Sequence, residues 1–149
     1  MLFKTASPVR VPSFEYIHHV MTEAIETHLP EIGQPFSWAT RTAGVIYTAH
    51  GPVRMDGSIE TGAIEGQAHL TFRNLELTLN GAGASLRDVA QVLIYLVDVT
   101  DVGAVDKIYR QYFQKPYPNR STVIVNALVV SGMKIEIVAY AADSKALVA

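Results

Sequence analysis

Arg120 is one of two charged residues whose surroundings in the sequence could support chemistry. It stands in Pro118-Asn119-Arg120-Ser121-Thr122-Val123, at the head of an apolar segment. A guanidinium is planar, stays charged in a dry cleft and can bind a carboxylate through two hydrogen bonds. Arg120 could therefore recognise a small organic acid. The alternative, which the spacing alone favours, is an arginine at the rim of the protein that packs its stem and leaves its head in water.

Glu136 is the second such residue, and it lies between Ile135 and Ile137 in an alternating segment. A half-buried carboxylate can hold and polarise a water molecule, or transfer a proton if desolvation raises its pKa. It could equally be the cross-strand partner of a lysine or an arginine. If the two segments form a hairpin that closes near Val130, Arg120 and Glu136 lie on one sheet face, roughly 13 Å apart. A small acid cannot bridge that distance, so we expect a neighbouring subunit to supply one of them if both serve one ligand.

The histidines give a weaker signal. No two of them are four residues apart, and no acidic residue completes a metal triad at a familiar spacing. The five are His18, His19, His28, His50 and His69. We therefore expect no metal and no other cofactor. His50 differs from the rest because it ends a predicted strand beside Gly51-Pro52, where loops often form ligand sites, and a structural and a functional role fit it about equally well.

Composition limits the remaining function classes. The chain has 149 residues, of which 49% are hydrophobic and 17% charged, with a formal net charge of -2 and no cysteine. These values describe one domain without disulfides, thiolate metal sites or the basic field that attracts nucleic acids and anionic membranes. Glycine-rich nucleotide-binding motifs and the nucleophile motif of serine hydrolases are missing. Because residues 1–12 lack the apolar run of a secretory signal, we expect a cytoplasmic protein.

Hydrophobic periodicity predicts the elements that position these residues. Apolar residues recur every three to four positions over residues 13–29, over residues 64–79 and from Val102 until Pro116, and predict three helices. Alternating or continuous apolar segments predict two short strands after Pro35, the second at residues 45–49, and further strands over residues 89–97, 121–127 and 133–140. The order fits an α+β domain with helices on one side of a sheet.

The predicted sheet carries more apolar surface than two helices can cover. Residues 89–97 are apolar on both faces of their strand, and Val138 and Tyr140 lie on the second face of the last strand. That second face must pack on the N-terminal helix or on another subunit. We expect another subunit.

Three segments are similar in sequence to one known family. Asn119-Arg120-Ser121-Thr122-Val123, Lys134-Ile135-Glu136-Ile137-Val138-Ala139 and Val105-Asp106-Lys107-Ile108-Tyr109 resemble the reactive intermediate deaminase family, the Rid or YjgF-like proteins. The resemblance implies a chorismate-mutase-like fold: a mixed sheet with two helices on one face, assembled into homotrimers that bind small ligands between subunits. It implies one domain over residues 1–149, with a Rid-like core at 33–142 and a helix-containing extension at 1–32.

The resemblance also implies an activity. Deaminases of this family hydrolyse small reactive enamines and imines that carry a carboxylate, such as 2-aminoacrylate, to 2-keto acids and ammonia without metal or organic cofactor. Arg120 would then clamp the substrate carboxylate, and Glu136 would orient the attacking water. Two alternatives stay open: a non-catalytic trimer that binds a small metabolite, and a ribonuclease, which the negative net charge disfavours.

Five positions that the resemblance places near the substrate depart from the family pattern. Phe36 stands where tyrosine is usual, Ala49 where serine is usual, and His50 adds an imidazole. Asp106 stands where asparagine is common, and Thr122 where the deaminase branch often has cysteine. The chain is thus identified as a divergent member, and we expect a substrate other than 2-aminoacrylate. A carboxylate at position 106 would repel an anionic ligand unless it pairs with a cation or stays protonated.

Overall fold

The computed structural model describes residues 21–147. Within that range the strands and helices follow one another as β1 Glu23–Ala24, β2 Ala39–Thr42, β3 Val45–His50, α1 Ile64–Ala82, β4 Val89–Leu96, α2 Val102–Tyr112, β5 Asn119–Ile124 and β6 Ile135–Ala142. Short 3-10 turns occupy Leu86–Asp88, Val99–Asp101 and Ser144–Leu147.

The strands form one mixed sheet in the order β1-β2-β3-β6-β4-β5. Strands β4 and β5 are parallel, and every other neighbouring pair is antiparallel. The core unites apolar residues of α1 and α2 with alternate residues of the strands, so both helices pack on the same face of the sheet. The predicted α+β class, a mixed sheet with two helices on one face, is confirmed.

Strand β6 defines the two faces of the sheet. Ile135 and Ile137 are fully buried and point toward the helices, whereas Glu136 and Val138 are half-buried on the opposite side. We call these sides the helix face and the open face. Since aligned residues on neighbouring strands share a face, the pairing of β6 with both β3 and β4 assigns each residue of those strands to one side.

Helix α1 carries buried polar residues as well as apolar ones, and Asn74 is one of them. Its side-chain amide donates to the carbonyls of Gly51 at 3.1 Å and Val53 at 2.9 Å. These two carbonyls belong to the segment that leaves β3. Asn74 therefore fixes the backbone just beyond His50, because buried carbonyls are stabilised only where a donor meets them.

Gln67, two turns nearer the start of α1 than Asn74, holds the segment that enters β6 in the same way. Its amide donates to the carbonyl of Gly132 at 2.8 Å and to that of Gly62 at 3.2 Å. Its side-chain oxygen accepts from the backbone N–H of Lys134 at 2.8 Å. The residue is fully buried, so the start of β6 depends on this side chain.

Two expectations about connectivity are wrong. Residues 21–29 of the predicted N-terminal helix are not helical: Glu23–Ala24 forms β1, which pairs with β2, while residues 13–20 lie outside the described part of the chain. Of the apolar residues there, Ile25 packs against the core and Leu29 is buried, whereas Met21 is exposed, so they do not form one buried helical face. The predicted hairpin between the last two strands is also wrong, because β4 separates β5 from β6.

The other predicted helices and strands are present with shifted ends: the helix predicted over residues 64–79 extends to Ala82, and the strand predicted over residues 121–127 is β5, Asn119–Ile124. Helix α1 ends at Ala82, with Gly83 in the left-handed conformation at φ 81 that favours glycine. Ser85 and Asp88 form a reciprocal capping box around the next turn. Helix α2 ends at Tyr112, four residues before Pro116.

We predict that Gln67→Leu destabilises the fold by about 2–4 kcal/mol, since it removes three hydrogen bonds that a fully buried side chain makes to the carbonyls of Gly62 and Gly132 and to one backbone N–H. Urea unfolding measures the loss. The control is Gln114→Leu at an exposed position, which makes the same chemical change without burial. A loss at position 67 no larger than at position 114 would show that α1 does not depend on this network.

Candidate functional site

Arg120 is held in place by two residues of α2. Its Nη2 donates to Oδ1 of Asp106 at 2.8 Å, and both side chains are a little more than a quarter exposed, at 28% and 29%. Its guanidinium carbon lies 4.8 Å from the centroid of the Tyr109 ring, in a cation–π arrangement. Arg120 aligns with Val92 of β4, which places it on the helix face at the edge strand. The arginine is thus at a rim, but with a fixed orientation.

A cavity of about 240 Å³ opens beside this arginine. It is lined by Asp106, Tyr109, Arg110, Tyr117, Pro118 and Arg120. Burial raises the pKa of Tyr109 to about 12, so the phenol stays protonated, and its buried hydroxyl has no partner among the described residues. The cavity therefore brings two guanidinium groups and one carboxylate together beside the ring of Tyr109.

Thr122 lies two residues beyond Arg120 on the same strand and the same face, aligned with Ile94. Its hydroxyl is buried and has no hydrogen-bond partner within residues 21–147. It does not line the cavity beside Arg120. Its predicted role in binding substrate stays a prediction.

Glu136 lies in the other half of the molecule, on the open face, where it aligns with Tyr95 of β4. Burial raises the pKa of its carboxyl above the usual value. Within the described residues no ion pair or hydrogen bond involves this side chain. An unpaired, half-buried carboxylate of this kind is suited to accept a proton or to hold a water molecule.

A second cavity, of about 310 Å³, contains four of the predicted site residues. They are Phe36, Ala49, His50 and Glu136. The remaining lining is largely apolar and includes Val129, Val130 and Met133. The structure thus brings Phe36 of the loop before β2, Ala49 and His50 together with Glu136, whereas Asp106 meets Arg120 elsewhere.

Trp38 organises one wall of this second cavity. Its ring meets Phe36 edge-on at 4.7 Å and stacks on His50 with centroids 5.7 Å apart and planes 12° apart. Its indole N–H donates to the carbonyl of Pro30 at 3.0 Å. The imidazole is therefore oriented by an aromatic neighbour that is itself anchored.

His50 is 1% exposed, and neither ring nitrogen has a hydrogen-bond partner among the described residues. Burial lowers its pKa from 6.5 to about 3, so the ring is neutral at neutral pH. A neutral imidazole offers one donor and one acceptor. Because unpartnered buried polar atoms are costly, this ring is positioned to bind a water molecule or a polar ligand atom.

The expectation that Arg120 and Glu136 share a sheet face is wrong. They align with Val92 and Tyr95 of β4, an odd number of residues apart, and so lie on opposite faces. Two strand spacings and three residues along the strand separate them, roughly 14 Å between backbones. The hairpin assumption failed because β6 pairs between β3 and β4. No small ligand can contact both side chains of one chain.

Sequence reasoning missed Trp38, Tyr109 and Asn74 as site residues. Tyr109 follows Asp106 by three residues on α2, a spacing that puts both on the side of the helix that faces Arg120. Asn74 belongs to a polar row with Gln67 at helical spacing inside an otherwise apolar helix. Those two spacings could have revealed them, whereas nothing in the local sequence indicates the position of Trp38.

No helix within residues 21–147 is long and apolar enough to span a bilayer. Among the same residues, no three histidine, aspartate or glutamate side chains cluster as metal ligands would.

Residues 13–143 match the family model described as Endoribonuclease L-PSP. The mitochondrial protein mmf2 of Schizosaccharomyces pombe is 34% identical over 113 residues, 74% of this chain and 90% of that protein. The human 2-iminobutanoate/2-iminopropanoate deaminase is 33% identical over 110 residues, 72% of this chain and 79% of that enzyme. The crystal structure of E. coli TdcF with bound serine superposes with a TM-score of 0.74 at 28% identity, covering 80% of this chain and 98% of that one.

We predict that His50 makes stability depend on pH. The unfolded imidazole binds a proton below about pH 6.5, but the folded one does not until about pH 3. The contribution of His50 to the free energy of unfolding is therefore complete above pH 6.5 and is lost as the pH falls from 6.5 towards 3. Between about pH 7.5 and pH 5.5, urea unfolding should show a loss about 1 kcal/mol larger in the wild type than in His50→Phe. The control, His28→Gln, changes an exposed imidazole. Equal losses in wild type and His50→Phe would contradict the burial of an unprotonated ring.

Proposed function

The chain belongs to the Endoribonuclease L-PSP family, the YjgF/Rid proteins, and from this membership and its two cavities we propose that it is an imine deaminase. It hydrolyses a small 2-imino acid, or the enamine tautomer, to a 2-keto acid and ammonia. The observation that carries the proposal is the half-buried Glu136, unpaired among residues 21–147 and with a raised pKa, in a cavity large enough for a small acid. Relatives about 33% identical bear the name of such a deaminase.

The chemistry requires positioning more than a strong nucleophile. Water held at Glu136 adds to the imine carbon, and the Glu136 carboxylate accepts the proton that the water loses. That proton passes to the nitrogen, and as the C–N bond breaks the new hydroxyl group loses its proton to Glu136 and becomes the carbonyl. This second proton converts the released ammonia to ammonium. Overall, a protonated 2-imino acid and water give a 2-keto acid anion and an ammonium ion. Neutral His50 supports this step because it offers a second hydrogen-bonding group in the same cavity.

Arg120 binds the substrate carboxylate, and in this proposal it comes from a neighbouring subunit. The geometry within one chain supports that arrangement, because Arg120 and Glu136 lie on opposite sheet faces. The open face supports it too. Its apolar side chains are only half-buried or exposed within residues 21–147, and they include Tyr47, Leu93, Tyr95, Val123, Val138 and Tyr140. A homotrimer that covers this face would bring an Arg120 edge to each Glu136 cavity.

The substrate is small and carries a carboxylate. Serine bound to TdcF supports this class, since serine is an amino acid of three carbons. Phe36 and Met133 add apolar surface to the lining of the Glu136 cavity. This surface favours imines with an apolar side chain over 2-aminoacrylate. A protein that binds such ligands without turnover is the second candidate. The Asp106 carboxylate on Arg120 favours it, because it competes with a substrate carboxylate.

Ribonuclease activity has little support beyond the name of the family model. The chain has a net charge of -2, and the cavity beside Arg120 contains one carboxylate for two guanidinium groups. Binding of a polyanion depends on a continuous run of positive charge. Deamination therefore remains the function proposed for this site.

We predict complementation between two inactive variants. Arg120→Ala and Glu136→Gln should each lower deamination of 2-iminobutanoate at least about 100-fold. In mixed trimers of the two variants, a cleft regains both groups when its arginine comes from one variant and its glutamate from the other. Every mixed trimer contains one such cleft among its three, so about a third of the wild-type activity should then return.

The two chains carry different tags, are co-expressed and are purified in tandem. Ammonia release is followed with the imine generated by an amino acid oxidase, with an enzyme-free blank for spontaneous hydrolysis. The control mixes Arg120→Ala with the double variant Arg120→Ala/Glu136→Gln, which cannot form a complete cleft. A mixture no more active than its parents would contradict the shared site, and full activity in either parent would contradict the assigned residue.

A further inference from the structure

Asp106 divides the hydrogen-bonding capacity of Arg120. Only Nη2 of the guanidinium bonds to Asp106, through Oδ1 at 2.8 Å. The same contact is the only hydrogen bond of the Asp106 side chain among the described residues, so its Oδ2 is unpartnered there. The remaining guanidinium N–H groups and one carboxylate oxygen are therefore available, side by side, in the same cavity.

The other lining residues do not remove this juxtaposition of opposite charges. Arg110 is exposed and donates to the backbone carbonyl of Asp106 at 3.3 Å rather than to its carboxylate. Tyr109 and Tyr117 contribute aromatic rings. A ligand at Arg120 therefore meets a positive and a negative group about one hydrogen-bond length apart.

We propose that Asp106 makes the Arg120 site selective for zwitterions, ligands in which a positively charged nitrogen adjoins a carboxylate. The ligand carboxylate binds the free N–H groups of Arg120, and its charged nitrogen binds the free oxygen of Asp106. A simple carboxylate anion gains only the first contact and is repelled by Asp106. Asp106 is then a specificity-determining residue.

This inference rests on the proposed function, and it means that the site binds the substrate of that reaction more tightly than its product. The protonated 2-imino acid is a zwitterion, whereas the 2-keto acid product has lost its nitrogen and is an anion. Asp106 thus favours the protonated imine, which is the form that water attacks most readily, and disfavours the product. The Asp106 carboxylate thus both strengthens substrate binding and promotes product release.

The test compares two four-carbon probes that differ in charge, 2-aminobutanoate and 2-oxobutanoate, by calorimetry at about pH 7.5, where both carboxylates are ionised. The wild type should bind the amino acid more tightly than the keto acid. In Asp106→Asn, which keeps the size of the side chain and an acceptor for Arg120, the keto acid should bind about tenfold more tightly and the amino acid about tenfold more weakly. Asp106→Ala should shift the preference in the same direction.

Equal changes for the two probes would overturn the inference, because Asp106 would then act only by positioning Arg120. A wild type that binds the keto acid as tightly as the amino acid, or that fails to bind the amino acid, would overturn it as well. The outcome is separable from the proposed function, since binding is measured without turnover. If Asp106→Asn reverses the preference between the two probes but the wild type releases no ammonia, the inference stands and the proposed deaminase activity is wrong. If the wild type releases ammonia but Asp106→Asn keeps the wild-type preference, the proposed activity stands and the inference is wrong.

Discussion

The pairing of β6 with β3 on one edge and β4 on the other is the constraint on which the rest of the structure depends. Its alternate residues Ile135 and Ile137 are fully buried against the helices, so a slip of one residue would drive Glu136 into the core. The cost of burying that carboxylate fixes the register. The same register places Glu136 beside the end of β3, where Ala49 and His50 lie. One alternation pattern thus stabilises the core and positions the carboxylate that we propose as the base.

Helix α1 extends this constraint from the sheet to the loops around the Glu136 cavity. Asn74 holds the segment that leaves β3, and Gln67 holds the segment that enters β6. Both side chains are fully buried and bond to backbone groups that no strand partner satisfies. Each is an energetic cost unless all its bonds form, so the two loops adopt the one conformation that satisfies them. A cavity built in this way keeps its shape without a ligand, which is what preorganised binding requires.

Most of the elements could be predicted from the sequence, because the spacing of apolar residues alone identifies α1 and α2 as helices and β4 as a strand. The order of the strands could not. Residues 119–124 and 135–142 are two strands close in sequence, and a hairpin is the local solution for such a pair. The parallel pairing of β5 with β4 depends on contacts with residues about 28 positions earlier, Gln91 with Asn119 for example. At the site, the types of Arg120 and Glu136 indicated chemistry, but their placement on opposite faces followed from that strand order. The resemblance indicated Asp106 as a changed position, and only the fold shows that its partner is Arg120.

Charge is distributed unequally between the two cavities, and the proposed reaction needs groups from both. Beside Arg120, positive charge is already partly compensated by Asp106, and the neighbouring phenol of Tyr109 stays protonated. The described lining around Glu136 contains no lysine or arginine and is largely apolar, His50 is neutral, and burial raises the pKa of the carboxyl. In the proposed trimer, a guanidinium from the neighbouring chain would approach a carboxylate that its own chain leaves without a counter-ion. Because an opposite charge favours ionisation, that approach would lower the pKa of Glu136 and supply the ionised base that the reaction needs. Assembly would then complete the site electrostatically as well as geometrically, and a separated subunit would hold Glu136 in its less reactive, more readily protonated state.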